Sequence, residues 1–162
     1  MKPAVSAVKK MERKPIYAIL DNIRSLHNVG AIFRTSDAIM LEKLYLCGIT
    51  GTPPRKEITK TALGAEEIVP WEHRDEAVEA VRELKNQGVK VVAVELCEGG
   101  MDYAEMKWEF PVCLVFGHEV EGVSDEVVAE CDAAVQLPML GRANSLNVAT
   151  CYGVIMYHLL NQ

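Results

Sequence analysis

The chain has 162 residues, 49% hydrophobic and 25% charged, enough to bury one core and too few for a second full domain. No run of about 18 apolar residues is present to span a bilayer, and Met1 to Pro15 is basic without the apolar stretch of a secretory signal, which places the protein in the cytoplasm. The net charge of -6 argues by itself against a nucleic-acid partner, yet residues 1 to 60 hold 11 Lys and Arg against 5 Asp and Glu, and residues 61 to 162 hold 6 against 18.

In chain order, residues 1 to 15 read as a basic, flexible segment ahead of a single domain over 16 to 162. Ile16 to Leu20 is a short apolar run rich in strand formers. Asp21 to His27 is a polar connection, and Asn28 stands where a helix N-cap is expected. Ala31, Ile32, Thr35, Ala38 and Ile39 then fall near helical spacing, and Lys43 to Ile49 reverts to a strand-like run. Gly51-Thr52-Pro53-Pro54 breaks the chain, and Arg55 to Lys60, with Arg34, extends the positive half beyond the first segment into a candidate basic face.

Asp75 to Gln87 is the clearest helix, with Ala77, Val78, Val81 and Leu84 on one stripe and Gly88 as its stop signal. Val89 to Leu96, Phe110 to Phe116 and the shorter Ala133 to Leu137 read as strands, and Ser145 to Leu160 as an apolar last helix. Continuous apolar strands alternating with helices predict an α/β fold, a parallel sheet flanked by helices on both faces. In such sheets ligands collect beyond the carboxyl ends of the strands. The polar residues after Leu20, Leu96, Phe116 and Leu137 all stand there.

The five cysteines are odd in number, widely spaced and mostly set in apolar segments, so they read as reduced, buried hydrophobes rather than a disulfide or zinc framework. His118-Glu119 opens like a zinc-peptidase motif, but Gly122 occupies the place of the second His, and no metal is expected. Gly117 to Ser124 has the glycine spacing of a phosphate-binding loop without its Lys, and Glu119 and Glu121 would repel a phosphate. That loop suits a ligand that is uncharged or cationic where it is held, or a tight turn whose carboxylates bond nearby backbone. Taken singly, Asn28 and Ser145 can be helix caps, Asn147 a polar residue of a first turn, Glu119 a surface turn residue and Arg34 a solvent-facing charge. Their joint occurrence is harder to explain that way.

The Asn-x-Gly-x3-Arg segment at 28 to 34, the Gly-x-Glu-x2-Gly loop at 117 to 122 and the Leu-Pro-Met-x-Gly…Ser-Leu-Asn-Val segment at 137 to 148 resemble, in order, the three motifs of the SpoU (TrmH) branch of the SPOUT RNA methyltransferases. The third is the most specific of the three. The resemblance implies S-adenosylmethionine-dependent methylation of a ribose 2'-hydroxyl in RNA by a homodimer with a C-terminal deep trefoil knot, a topology that general chain rules would not suggest. It implies a cofactor pocket lined by Val94, Glu95, Leu96, Gly117, Leu137 and Leu146, where adenine would find apolar walls and Gly117 a close backbone approach. Ala149 follows Val148 where many members of the branch carry Ser.

The resemblance also assigns the reacting groups. Arg34, supplied across the dimer interface, lies beside the target hydroxyl; as a guanidinium that stays protonated, it would position the nucleotide and stabilise developing alkoxide charge while an RNA phosphate or water takes the proton. Asn28 would fix the segment presenting Arg34, Ser145 and Asn147 would hold the cofactor or target ribose, and Glu119 would brace the knot loop. No separate RNA-binding domain is evident, which leaves recognition to the basic segments and the dimer surface and favours tRNA over ribosomal RNA. Two other readings are a non-catalytic RNA- or nucleotide-binding domain of the same fold and a flavodoxin-like domain holding an anionic cofactor.

Overall fold

The computed structural model describes residues 1–95 and 100–162, so Leu96, expected in the cofactor pocket, lies outside the described residues. After a short helix α1 (Val5–Val8), strand β1 (Lys14–Asp21) leads into α2 (Leu26–Ala38) and β2 (Leu41–Cys47). Helix α3 (Lys56–Ala62), β3 (Trp71–Arg74), α4 (Ala77–Asn86) and β4 (Lys90–Val94) follow. The chain continues through β5 (Met101–Asp102), β6 (Val112–Gly117), α5 (Asp125–Glu130), β7 (Ala133–Gln136) and α6 (Val148–Leu160). Among the described residues, seven strands form one sheet in the order β3-β2-β1-β6-β4-β7-β5, and neighbouring strands pair in parallel throughout.

The continuous apolar runs make sense once the sheet is seen to have two covered faces. In β6, Val112, Leu114 and Phe116 enter a core with α2, α3 and α6, whereas Cys113 and Val115 enter another with α4 and α5. In β1, Ala18 and Leu20 face the first core and Ile19 the second. A strand apolar on both faces cannot show the alternation of a half-exposed one. The anticipated α/β architecture is therefore present.

Several boundaries differ from expectation. Ser25, not Asn28, caps α2, its hydroxyl accepting from the Asn28 N–H at 3.2 Å, so Asn28 already lies within the first turn. The buried stripe of α2 is Val29, Gly30, Ile32, Phe33 and Ser36, leaving Ala38 exposed. The last helix begins at Val148, three residues later than read from sequence, and its N-cap is Asn147, whose side-chain oxygen accepts from Ala149 N–H at 2.9 Å and Thr150 N–H at 3.1 Å. Ser145 lies before that cap.

Besides α1, in the segment read as flexible, and the two-residue β5, three elements had no clear signature. Helix α3 buries only Ile58 and Ala62, and α5 only Val127, so neither shows an amphipathic stripe. Strand β3 sits at the sheet edge and carries Glu72, His73 and Arg74. Its charges are matched locally: Glu72 pairs with Lys43 and Arg74, and Arg74 also reaches Glu83 at 2.8 Å. At the other end of the chain, β1 begins at Lys14, and Arg13 donates to the Leu41 and Ile68 carbonyls, each at 3.1 Å.

Helix α2 is held from both sides. A Cβ on Gly30 would overlap Thr61 Oγ1 and the Ile58 carbonyl, so only glycine lets α3 approach this closely. Thr61 adds a hydrogen bond to the His27 carbonyl at 2.8 Å. On the other side, the fully buried hydroxyls of Ser36 and Tyr152 meet at 2.6 Å, and Ser36 also donates to the Ile32 carbonyl at 2.7 Å. The Gly30→Ala variant is expected to lose about 1–3 kcal/mol of stability by overpacking this contact, which a denaturant titration of both proteins will measure.

Candidate functional site

The carboxyl ends of β4, β6 and β7 open into a cavity of about 570 Å³. Val94 and Glu95 line it from the end of β4, Phe116 and Gly117 from β6, and Leu137 from just beyond β7. The loop from His118 to Gly122 and the segment from Asn144 to Val148 complete the wall, with Met139 and Cys151. Five of the six expected cofactor residues, Val94, Glu95, Gly117, Leu137 and Leu146, thus share one cavity. Glu119, Ser145 and Asn147 line it as well. Val120 and Met139 line it from within the second and third motifs, and Cys151, read from sequence only as a buried hydrophobe, lines it from α6.

The loop after β6 is folded by backbone contact. His118 N–H donates to the Gly122 carbonyl at 3.1 Å and Gly122 N–H to the His118 carbonyl at 2.8 Å. The His118 ring closes the turn, its Nδ1 accepting from Val120 and Glu121 N–H at 3.1 Å each. A Cβ on Gly117 would overlap the backbone of Gly122 and Val123. Glycine is therefore needed there for the loop's own fold, a reason distinct from the close ligand approach expected of it.

Carboxylates then hold this loop to the sheet. Glu95 accepts from Val123 N–H at 2.8 Å, and buried Asp21 accepts from Ser124 N–H and Oγ at 3.1 Å each. Burial pushes the Glu95 carboxyl up, the Val123 N–H draws it back, and the charges of Asp125 and Asp21 push it further up. Asp21, the first polar residue after the first apolar run, was legible as a strand-end position but not as a loop anchor.

Glu119 crosses from this loop to the first motif. Its two oxygens accept from Arg24 N–H at 3.1 Å and Ser25 N–H at 3.0 Å, the backbone donors just ahead of α2. The Asn28 amide approaches the same carboxylate at 3.5 Å, and Asn28 Oδ1 accepts from Asn147 Nδ2 at 3.2 Å. Burial alone would raise the Glu119 carboxyl, but the Ser25 and Arg24 N–H bonds, with the Asn28 amide, outweigh it and leave the group below the ordinary carboxylate range. Residues from all three motifs, Asn28, Glu119 and Asn147, therefore form one hydrogen-bonded chain.

Arg34 stands apart. It is exposed and does not line the cavity. Six residues beyond Asn28 on the same helix, it lies about 9 Å further along the axis and about 120° around it. Within a single chain, then, Arg34 is not brought to the other candidate residues. It shares an exposed stripe of α2 with His27, half-buried Ala31 and Ala38, beside α6, which exposes Thr150, Val154 and Tyr157.

The cavity has the size of a small-molecule site and mixes apolar walls with Glu95, Glu119 and Glu121, without a Lys or Arg among the described residues that line it. That charge suits a ligand with a positive centre and disfavours one carrying phosphates. Among the described residues, no group of three or more His, Cys, Asp or Glu is placed to hold a metal ion, and no helix is long and apolar enough to cross a membrane.

Comparison with known proteins agrees with this geometry. The model of the SpoU rRNA Methylase family matches residues 15–157. A tRNA (guanosine(18)-2'-O)-methyltransferase of Aquifex aeolicus is 34% identical over 96% of this chain and 73% of its own length. The crystal structure of the A. aeolicus TrmH/SpoU tRNA modifying enzyme superposes with a TM-score of 0.87 at 32% identity, covering 98% of this chain and 80% of that one. An AdoMet-bound rRNA methyltransferase from Sinorhizobium meliloti superposes with a TM-score of 0.81 at 29% identity, covering 93% of this chain and 58% of that one.

The network around Glu119 sets an expectation for pH. A carboxyl whose folded pKa is depressed contributes stability that is complete above its unfolded value and is lost as pH falls through the lowered one. Glu119→Gln should therefore destabilise the protein near neutral pH and differ progressively less from the parent under acid conditions, as read from denaturant midpoints across pH. A constant difference at all pH values would show that the charge of Glu119 is not what holds the loop.

Proposed function

We propose, from the premise that this chain belongs to the SpoU rRNA Methylase family, that it transfers a methyl group from S-adenosylmethionine to a ribose 2'-hydroxyl of tRNA. The observation that carries the reading is the hydrogen-bonded chain Glu119–Asn28–Asn147 at the rim of an acidic cavity. It joins the three segments whose residues resemble the family's motifs. The choice of tRNA over ribosomal RNA follows the name of the A. aeolicus relative, and the choice of cofactor the bound state of the S. meliloti structure.

Val94, Gly117, Leu137 and Leu146 would hold the adenosine part of S-adenosylmethionine among apolar walls and backbone groups, and Glu95 and Glu119 would face its cationic part. When bound, the cofactor supplies an electrophilic methyl group. Ser145 and Asn147, exposed at the start of α6 and lining the cavity, would orient the target ribose. Glu119 spends both oxygens on the Arg24 and Ser25 N–H groups, so it braces the loop and is not a free base. A guanidinium does not lose its proton at ordinary pH, so Arg34 would position the nucleotide and stabilise negative charge growing on the ribose oxygen, with an RNA phosphate or water accepting the proton.

Arg34 reaches such a site only from another copy of the chain, which is the reason to read the protein as a homodimer. The stripe of α2 and α6 that exposes Ala38, Val154 and Tyr157 offers the apolar surface for that contact. We further read the segment from β7 to α6 as threading a trefoil knot. In support, β7 inserts between β4 and β5 in the sheet, and the following residues pass the cavity before α6 returns to α2. The single domain then includes β1 from Lys14, ahead of the boundary at 16 read from sequence, and the basic residues before it form an extension.

Incubation with labelled S-adenosylmethionine and total tRNA or ribosomal RNA, followed by mapping of the product, tests the activity: a 2'-O-methylated nucleotide in tRNA is expected. Label in neither RNA would favour the non-catalytic binding domain. Arg34→Ala should slow transfer by about 100-fold or more while S-adenosylmethionine affinity, measured by calorimetry, stays the same. Arg34→Ala and Asn147→Ala chains, each inactive alone, should recover activity when produced together, because the mixed dimer contains one intact site.

A further inference from the structure

A second hollow of about 420 Å³ adjoins the first and shares Leu137, Met139 and Asn144 with it. The two differ in charge. Glu95, Glu119 and Glu121 line the first, whereas among the described residues the second holds Arg142 and no carboxylate. Arg142 is exposed, and it is the only Lys, Arg, Asp or Glu from Ala133 to Gln162. A lone cation in an otherwise uncharged stretch, set at the mouth of an acidic cavity, needs an explanation that solubility does not supply.

The chemistry of the substrate offers one, given the RNA methyl-transfer reading on which this inference rests. In RNA the 2'-hydroxyl is adjacent to the 3'-oxygen, which carries a phosphodiester. Any ribose presented to Ser145 and Asn147 therefore brings an anionic phosphate within a few ångströms of the same residues. In the first cavity that phosphate would face three carboxylates. In the second it would meet a guanidinium, whose planar fork matches two phosphate oxygens.

We propose that the second hollow, with Arg142 at its rim, seats the 3'-phosphate of the target nucleotide, while its ribose lies at Ser145 and Asn147 on the neighbouring cofactor cavity. Gln136 and Asn144 supply the hollow's neutral polar groups, and Leu137 and Met139 form the partition between phosphate and cofactor. Arg142 is thus an RNA-binding residue acting next to the reacting hydroxyl, distinct from Arg34, which lies on α2.

The test compares the full-length protein with its Arg142→Ala and Arg142→Lys variants, using unmodified tRNA and S-adenosylmethionine. Arg142→Ala should weaken tRNA binding on the order of 10-fold and lower the slope of log affinity against log salt by about 1, as loss of one phosphate contact requires. Arg142→Lys should keep the slope and recover part of the affinity. S-adenosylmethionine affinity should be unchanged in both, which also reports that the cavity remains folded. Unchanged tRNA affinity and salt slope would overturn the proposal, and so would a loss of S-adenosylmethionine affinity alone, which would assign Arg142 to the cofactor's carboxylate. Because equilibrium tRNA binding needs no turnover, it judges Arg142 even if the parent protein labels no RNA, an outcome that would count against the methyl-transfer reading instead.

Discussion

Backbone donors that no helix or strand can satisfy organise this protein, and the Glu119 carboxylate is where most of the site is joined. The N–H groups of Arg24 and Ser25 lie ahead of the first turn of α2, without partners in the helix itself. Glu119 takes both, at 3.1 and 3.0 Å, from a loop more than 90 residues away in sequence. Because a charged acceptor forms stronger bonds than a neutral one, this contact fixes the loop against the entry to α2. Asn28 and Asn147 extend the connection to the cap of α6. Without Glu119 the Asn28–Asn147 bond would still join the first and third segments, but the loop after β6 would lose its direct polar tie to the entry of α2.

The same economy accounts for the acidity of the cavity. Glu95 is bound to Val123 N–H and Asp21 to Ser124 N–H, so two carboxylates hold the backbone at the entry to α5 as Glu119 holds the entry to α2. Their negative charge serves the fold and also sets the field a ligand meets. The raised Glu95 carboxyl and the lowered Glu119 carboxyl show how differently two such groups are treated: one is chiefly buried among other acids, the other is surrounded by donors. Glycine plays the complementary part where backbone must approach backbone, at Gly117 under Gly122 and at Gly30 under α3.

Much of this was legible in sequence. The apolar runs beginning at 16, 89 and 110 marked β1, β4 and β6, and the stripe of Ala77, Val78, Val81 and Leu84 marked α4, because burial on two faces and amphipathic periodicity leave direct marks on composition. Among the elements that escaped, α3, α5 and β3 bury too few side chains to leave such a mark and depend on neighbours already in place. Cap positions also slipped. Ser25 and Asn28 are both good cap residues three apart, and only the backbone decides that Ser25 accepts the bond. The Glu119–Asn28–Asn147 chain could not be read from spacing at all, since its members are brought together by a parallel sheet that interleaves distant segments.

The division of charge bears on how an acidic chain could handle a polyanion. Phosphates are repelled by the cavity that suits a cationic cofactor, so RNA contacts must be made by groups around it rather than within it. Arg34 and Arg142 satisfy that condition from different directions, one on a helix and one on the loop before α6. Asn28 is tied to the cavity rim, and a residue about 120° around the same helix cannot turn to the same side without unwinding it. Helix α2 is fastened on both flanks, by Gly30 against α3 and Ser36 against Tyr152, and both contacts oppose its rotation. Rigid packing of α2 is thus the physical ground for reading Arg34 as a group donated by one copy of the chain to another.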